Sequence, residues 1–301
     1  SSIIPGLIDD LCARATYCEN KTCTTATLEE IAAVRYTPPP PPTGILLVDY
    51  PGASAAYSLR NLIDTTTSVV RVRRSSDNTE QDFTSAEITD GTLTTFTGAN
   101  DGFVTTWYDQ SGNSKNATQL TATRQPKLVL NGVINLKGGK PAIFNNNSAG
   151  VALNFSEIRA KTVIMSLGIL SNSGSGNLGM ILGGVRDLDG NTDYSIRCRY
   201  YNPAYYWLST DPAHWFIGNN GDYYINGNLA IADNISNEIT DHQLNFATNN
   251  NPIGVFNQVY SNGKFNRTFQ GIFQEIILYP TDQSANRTGI ETNINTEYTI
   301  Y

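Results

Sequence analysis

Three groups of side chains in this chain could do chemistry, and each makes a specific demand. The first is the acidic run Asp187-Leu-Asp189-Gly190-Asn191-Thr-Asp193, which sets oxygen ligands at alternate positions as the first half of a calcium loop does. The run lacks the glycine such a loop needs at its sixth position and the bidentate Glu at its twelfth, where Cys198 stands. A polar hairpin turn accounts for it as well. The second group is thiols and imidazoles. Cys12, Cys18, Cys23 and Cys198 contain no Cys-x-x-Cys step, and the histidines are His214 and His242 alone, so no zinc template is met. With no Gly-x-Ser-x-Gly elbow either, a Ser-His-Asp hydrolase has little support. The expectation is no cofactor, no metal and cysteines that act as reduced small hydrophobes.

The third group is aromatic. Tyr200, Tyr201, Tyr205, Tyr206, Trp207, Trp215 and Phe216 crowd one region, with Tyr223 and Tyr224 close behind. Flat exposed rings stack on the apolar faces of sugars, and the same rings also fill cores and subunit interfaces. Tyr205, Tyr206, Trp207 and Trp215 are the carbohydrate-binding candidates.

Composition sets the elements that must carry these groups. The 301 residues are 40% hydrophobic and only 16% charged, with abundant Thr, Asn, Ser and Gly, which suits short strands joined by many turns. A net charge of −7 argues against a nucleic-acid surface, which needs clustered Lys and Arg. The basic cluster Arg71, Arg73 and Arg74 is too short to change that and reads as alternating arginines on a solvated or paired strand face. No apolar run approaches the roughly 20 residues a membrane span requires. The start, Ser1-Ser-Ile-Ile-Pro-Gly, has no secretory-signal pattern, so a signal was removed or never used. Asn-x-Ser/Thr triplets such as those at Asn116, Asn154 and Asn266 are weak evidence of glycosylation in so Asn- and Thr-rich a chain.

Residues 1–37 differ from the rest. Leu7, Ile8, Leu11 and Ala15 recur at helical spacing, as do Leu28, Ile31, Ala32 and Arg35, so two short helices are expected. Neither is long enough to be stable alone in water, and the segment needs a partner surface. Pro38–Pro42 follow within a linker over 38–44, a stiff polyproline spacer about 15 Å long. From Gly44 onward the pattern is β. Strands are expected at Ile45–Asp49, Val69–Arg73, Gly102–Tyr108, Lys161–Leu170, Met180–Leu182, Tyr194–Tyr200, Asp222–Ile225 and Phe269–Leu278. A short helix is expected at Ala55–Leu62 and a tight hairpin turn at Asn226-Gly227. The absence of long amphipathic helices between strands favours a two-sheet sandwich.

Particular stretches make the expectation specific. Val70-Arg-Val-Arg-Arg and Gly102-Phe-Val-Thr-Thr-Trp107-Tyr-Asp109-Gln-Ser-Gly-Asn113 are joined later by Gly271-Ile-Phe-Gln-Glu275 and by Arg287, Ile290, Glu291, Ile294 and Asn295. Over about residues 45–301 the chain resembles the catalytic domain of the α-L-arabinofuranosidase B type and its relatives in phage and bacterial surface proteins. The resemblance implies an all-β, concanavalin-like (laminin-G-like) jelly-roll sandwich with a short helical N-terminal segment. In that family a Glu nucleophile lies on an inner strand. An Asp acid/base lies in a Gly-Gly-Asp-Asn turn before a Gly-x-Phe-x-Glu strand. Retaining hydrolysis needs these two carboxyls about 5–5.5 Å apart. Here Asn257 falls where the acid belongs, and the strand expected to hold the nucleophile, Tyr194–Tyr201, has no carboxylate. Glu275 and Asp109 remain in matched motifs, where hydrogen bonding to turn backbone is the plainer role.

On this basis the sequence points to a non-enzymatic virion structural protein, a fibre, decoration or appendage subunit with no catalytic residues. Residues 1–42 would fix it to other virion proteins, self-association as a trimer is expected, and a lectin-like head would face host-surface glycans from the virion surface. The N-terminal run Leu7–Val34 loosely resembles the openings of structural proteins of phages infecting Bacteroidetes. The alternative is an extracellular glycoside hydrolase of the arabinofuranosidase type, with a carboxylate pair drawn from Asp187, Asp193, Asp222 or Glu275. A secreted monomeric lectin is a third reading.

Overall fold

A computed structural model describes residues 42–146, 150–170, 178–186, 193–201, 204–207, 222–230, 240, 242–248, 254–260 and 268–301. The chain divides after Pro42, and Thr43–Tyr301 forms the body described here. The expected N-terminal helices and all of the proline run but Pro42 lie outside the described residues.

The body is a β-sandwich. In chain order its strands begin with β1 (Ala55–Ser58), β2 (Ser68–Arg74), β3 (Glu80–Thr84), β4 (Gly102–Trp107), β5 (Ala117–Thr118), β6 (Lys127–Leu130) and β7 (Val133–Ile134). Next come β8 (Leu136–Lys137), β9 (Lys140–Pro141), β10 (Ile143–Asn145), β11 (Leu153–Ala160), β12 (Thr162–Ile169), β13 (Leu178–Arg186) and β14 (Asp193–Tyr201). The series ends with β15 (Ala204–Trp207), β16 (Tyr223–Ile225), β17 (Asn228–Leu229), β18 (Gln243–Thr248), β19 (Gly254–Val259) and β20 (Gly271–Tyr279). The helices are α1 (Leu46–Asp49), α2 (Ser85–Thr89), α3 (Thr92–Thr97) and α4 (Arg287–Tyr298).

Antiparallel pairings trace two layers. One runs β17-β16-β18-β12-β20, with β1 and β10 sharing the far side of β20. The other runs β3-β2-β4-β5-β11-β19-β13-β14-β15. Strand β6, paired with both β4 and β10, turns the corner between them. The interior is a single apolar cluster drawn from both layers, including Val70, Trp107, Phe256, Phe273 and Ile276. A second cluster lies outside β20, where Ile290, Ile294 and Tyr298 of α4 cover Ile277, Tyr279, Ile164 and Phe246.

The Asn226-Gly227 turn is as expected, with both residues at positive φ (51° and 76°), the conformation that joins β16 to β17 tightly. Two local expectations are corrected. Ile45–Asp49 is mostly the short helix α1 instead of a strand, and its Asp49 carboxylate accepts from the backbone N–H groups of Thr43 and Gly44. Ala55–Leu62 opens as strand β1 instead of a helix. Its Ala and Leu content favours helix, but all four β1 residues are buried and paired to β20, and tertiary pairing overrides weak local propensity.

Strand β20 carries one irregularity that decides the site. Phe273 and Ile276 both face the interior although three positions apart, because Leu167 and Ser166 of β12 pair with Phe273 and Glu275 and skip Gln274. This bulge sets Gln274 and Glu275 side by side on the face covered by α4.

Candidate carboxylate sites

Glu275 is the carboxylate that sits in the best-matched motif, and its surroundings fix what it can do. It is 1% exposed. Arg60 grips it with two hydrogen bonds, Nε to Oε2 at 2.8 Å and Nη2 to Oε1 at 3.0 Å. The hydroxyls of Ser58 and Tyr298 also donate to Oε2, at 2.9 and 3.1 Å. Burial works against the Arg60 charge, yet the carboxylate beside it outweighs that and holds the guanidinium above its ordinary range. Burial, then Glu275, pushes the Tyr298 phenol well up. A carboxylate with its acceptor positions occupied, facing a helix, has no open side for a substrate. Glu275 is an internal tie between β1, β20 and α4; its expected hydrogen bonds to turn backbone are replaced by this ion pair.

Asp109 does hold turn backbone. Its carboxylate accepts from the N–H groups of Ala56, Ser111 and Lys115 at 2.9 Å each, which organises the polar turn after Trp107. Asp222 is exposed beside β16, its N–H donating to Thr248 Oγ1 at 3.2 Å. Asp187 lies outside the described residues, and with it most of the calcium-like run.

Asp193 is different. The strand expected to begin at Tyr194 begins one residue earlier, so β14 opens on a carboxylate in register with Arg186 of β13. On its other side β13 pairs with β19, Gly183 opposite Gln258 and Gly184 opposite Phe256. Strand β13 therefore separates the strand that opens on Asp193 from the strand that holds Asn257. Asn257 itself is half-buried, and its neighbour Gln258 donates from Nε2 to Asn154 Oδ1 at 2.8 Å. Asp193 thus stands one residue ahead of the run Tyr194–Tyr201, within the same strand.

Of the carbohydrate-binding candidates, Tyr205, Tyr206 and Trp207 lie on β15, paired with Tyr200, Arg199 and Cys198 of β14. Trp215 lies outside the described residues. Sequence reasoning missed Arg60 and Tyr298 as partners of Glu275. Arg60 lies 215 positions from Glu275, and nothing in the local pattern joins them.

No protein-family model matches the chain, and no curated protein matches it. Solved structures with a similar fold do exist. One is an arabinofuranosidase complexed with arabinofuranosyl-α-1,2-xylobiose (13% identity, TM-score 0.47). A second is a mutant of a glycoside hydrolase family 54 α-L-arabinofuranosidase soaked with 4-nitrophenyl α-L-arabinofuranoside (13%, 0.49), and a third is such an enzyme soaked with a cyclic sulfate inhibitor (14%, 0.45). Each covers 82% of this chain, which spans 63% of the neighbour's length.

The expectation of a non-enzymatic virion subunit is corrected. The solved structures of similar fold are arabinofuranosidases, and the strand expected to begin at Tyr194 begins at Asp193.

Proposed function

We propose that this chain is a glycoside hydrolase of the arabinofuranosidase type, acting on α-L-arabinofuranosides. The observation that carries the reading is Asp193 at the head of β14, on the strand where the resemblance puts a catalytic carboxylate. Of the four carboxylates considered at the outset, Glu275 is committed to Arg60, which leaves Asp187 and Asp222 as candidates for the second member of the pair. Glycoside hydrolysis needs both: one to protonate the leaving oxygen and one to attack the anomeric carbon or to activate water. Tyr205, Tyr206 and Trp207 of β15, on the strand next to β14, are the sugar-stacking set in this reading.

The test is release of 4-nitrophenol from 4-nitrophenyl α-L-arabinofuranoside by the purified chain. Asp193→Asn is expected to lower kcat by about 10²–10⁴-fold, the span attributed to a positioned acid or base. No detectable release by the unaltered chain, or full activity in Asp193→Asn, would reject the assignment.

A further inference from the structure

The three arginines of β2 do not share one fate. Arg71 pairs with Asp82 through two bonds of 2.6 and 2.9 Å, and Arg74 with Asp77 through two of 2.8 and 2.7 Å. Arg73, between them, is only 8% exposed and has no ion pair among the described residues. Its Nε donates to Gln125 Oε1 at 2.8 Å and its Nη1 to Asn78 Oδ1 at 2.7 Å, both neutral amides, and Nη2 makes no hydrogen bond among the described residues. Burial lowers its pKa, and Glu80 opposes that through space from an exposed position. A guanidinium largely out of water whose hydrogen bonds go only to neutral amides is costly, and part of that cost is recovered when an anion arrives.

Arg73 lines an open cleft of about 510 Å³, within the range of small-molecule sites. Phe103 lies beneath Arg73, with 4.6 Å from Cζ to the ring centre, and Lys127 Nζ stands 5.3 Å from the same ring. Lys127 is already neutralised by Asp101 at 2.8 Å. Gln125 is held by its own bond from Nε2 to Gln119 O at 2.8 Å, so Arg73 is pre-positioned. Thr123 and the exposed Asn146, groups that suit hydroxyls, line the same cleft.

We infer that this cleft binds a uronic acid residue, whose carboxylate pairs with Arg73 and whose hydroxyls meet the amide and hydroxyl groups around it. The charge count selects the class. One cation without an ion pair among the described residues matches a monoanion, whereas a phosphate monoester brings close to two charges to a site whose other cation is spoken for. The cleft stands on β2, β4, β6 and β10, not on the strands of Asp193, so the inference is independent of the hydrolysis reading.

The experiment titrates the full chain with D-galacturonate, D-galactose and inorganic phosphate, following binding by calorimetry or ligand-observed NMR. Galacturonate is expected to bind at least tenfold more tightly than the other two. Arg73→Gln should lose that preference. Because Arg73 also ties Gln125 and Asn78 together, Thr123→Trp serves as a second variant; it fills the exposed mouth of the cleft and should weaken galacturonate at least tenfold with folding intact. Asp193→Asn should bind as the unaltered chain does. No galacturonate binding, equal binding of galactose, phosphate binding as tight as galacturonate, or undiminished binding in Thr123→Trp would each overturn the proposal.

Discussion

At the residue scale, the deciding contrast is between the motif that holds Glu275 and the partners that Glu275 meets. Glu275 stands in the motif that best matches a catalytic strand, yet it is saturated by a guanidinium and two hydroxyls. Removing one partner of such a buried pair leaves the other uncompensated, at about 3–5 kcal/mol. Glu275→Gln is therefore expected to destabilise the fold by about that much in urea denaturation while kcat per folded molecule stays unchanged. A large loss of kcat with stability intact would return Glu275 to the reaction. The motif was legible in the sequence and the role was not, because the role is set by Ser58 and Arg60 at the end of β1 and by Tyr298 of α4, two other places in the chain.

At the scale of elements, α4 is the piece that closes the outer face of β20, and it carries its own buried acid. Glu291 is 3% exposed, accepts from Arg287 Nη1 through Oε2, and leaves Oε1 without a partner among the described residues. Burial raises its pKa above the ordinary 4.5 against the opposing pull of Arg287. A carboxyl so raised binds its proton more readily folded than unfolded, so its contribution favours the fold below the shifted value and is lost as pH rises through the window above 4.5. Glu291→Gln should flatten the fall in Tm across that window in a series of thermal melts; an unchanged slope would mean that Glu291 does not cause it.

Helix α4 matches what the resemblance implied at Arg287, Ile290, Glu291, Ile294 and Asn295, and β2, β4, β12 and β20 were legible from their apolar runs. Strand β1 was misread because Ala and Leu speak for helix where only pairing to a strand over 200 positions away decides. Strand β11 escaped notice because Ser156-Glu157 interrupts its alternation and β18 because its alternating run is only Gln243-Leu-Asn-Phe; their pairing to β19 and β12 supplies what the pattern lacks. The start of β14 was placed one residue late, and that residue was Asp193.

At the scale of the whole molecule, the first strand of the body pairs with the last. Ala55–Ser58 lie against Leu278–Glu275, so the layer holding β20 is incomplete until nearly the entire chain is present. Pairings of such long sequence separation are slow to form and depend on both ends. Removing residues 270–301 takes away β20 and α4 together, uncovering β12, β1 and β10 along one line. The shortened chain is expected to show no cooperative thermal transition by circular dichroism. A sharp transition retained in that chain would mean that the other strands fold without the closing one.

The bulge in β20 leaves Gln274 supernumerary. Drop that residue and the ladder closes without it, since Phe273 and Glu275 already meet adjacent partners on β12. The strand keeps it for another purpose. Its Nε2 reaches the carbonyls of Lys137, Lys140 and Pro141 at 3.0, 3.3 and 3.4 Å, while its Oε1 lies 2.7 Å from His242 Nε2. Gln274 is a rivet: it takes no place in the β12–β20 register, accepts from Ser166 Oγ of β12 at 3.3 Å, and fastens the β8–β9 hairpin, a separate two-stranded sheet, to the outside of the sandwich.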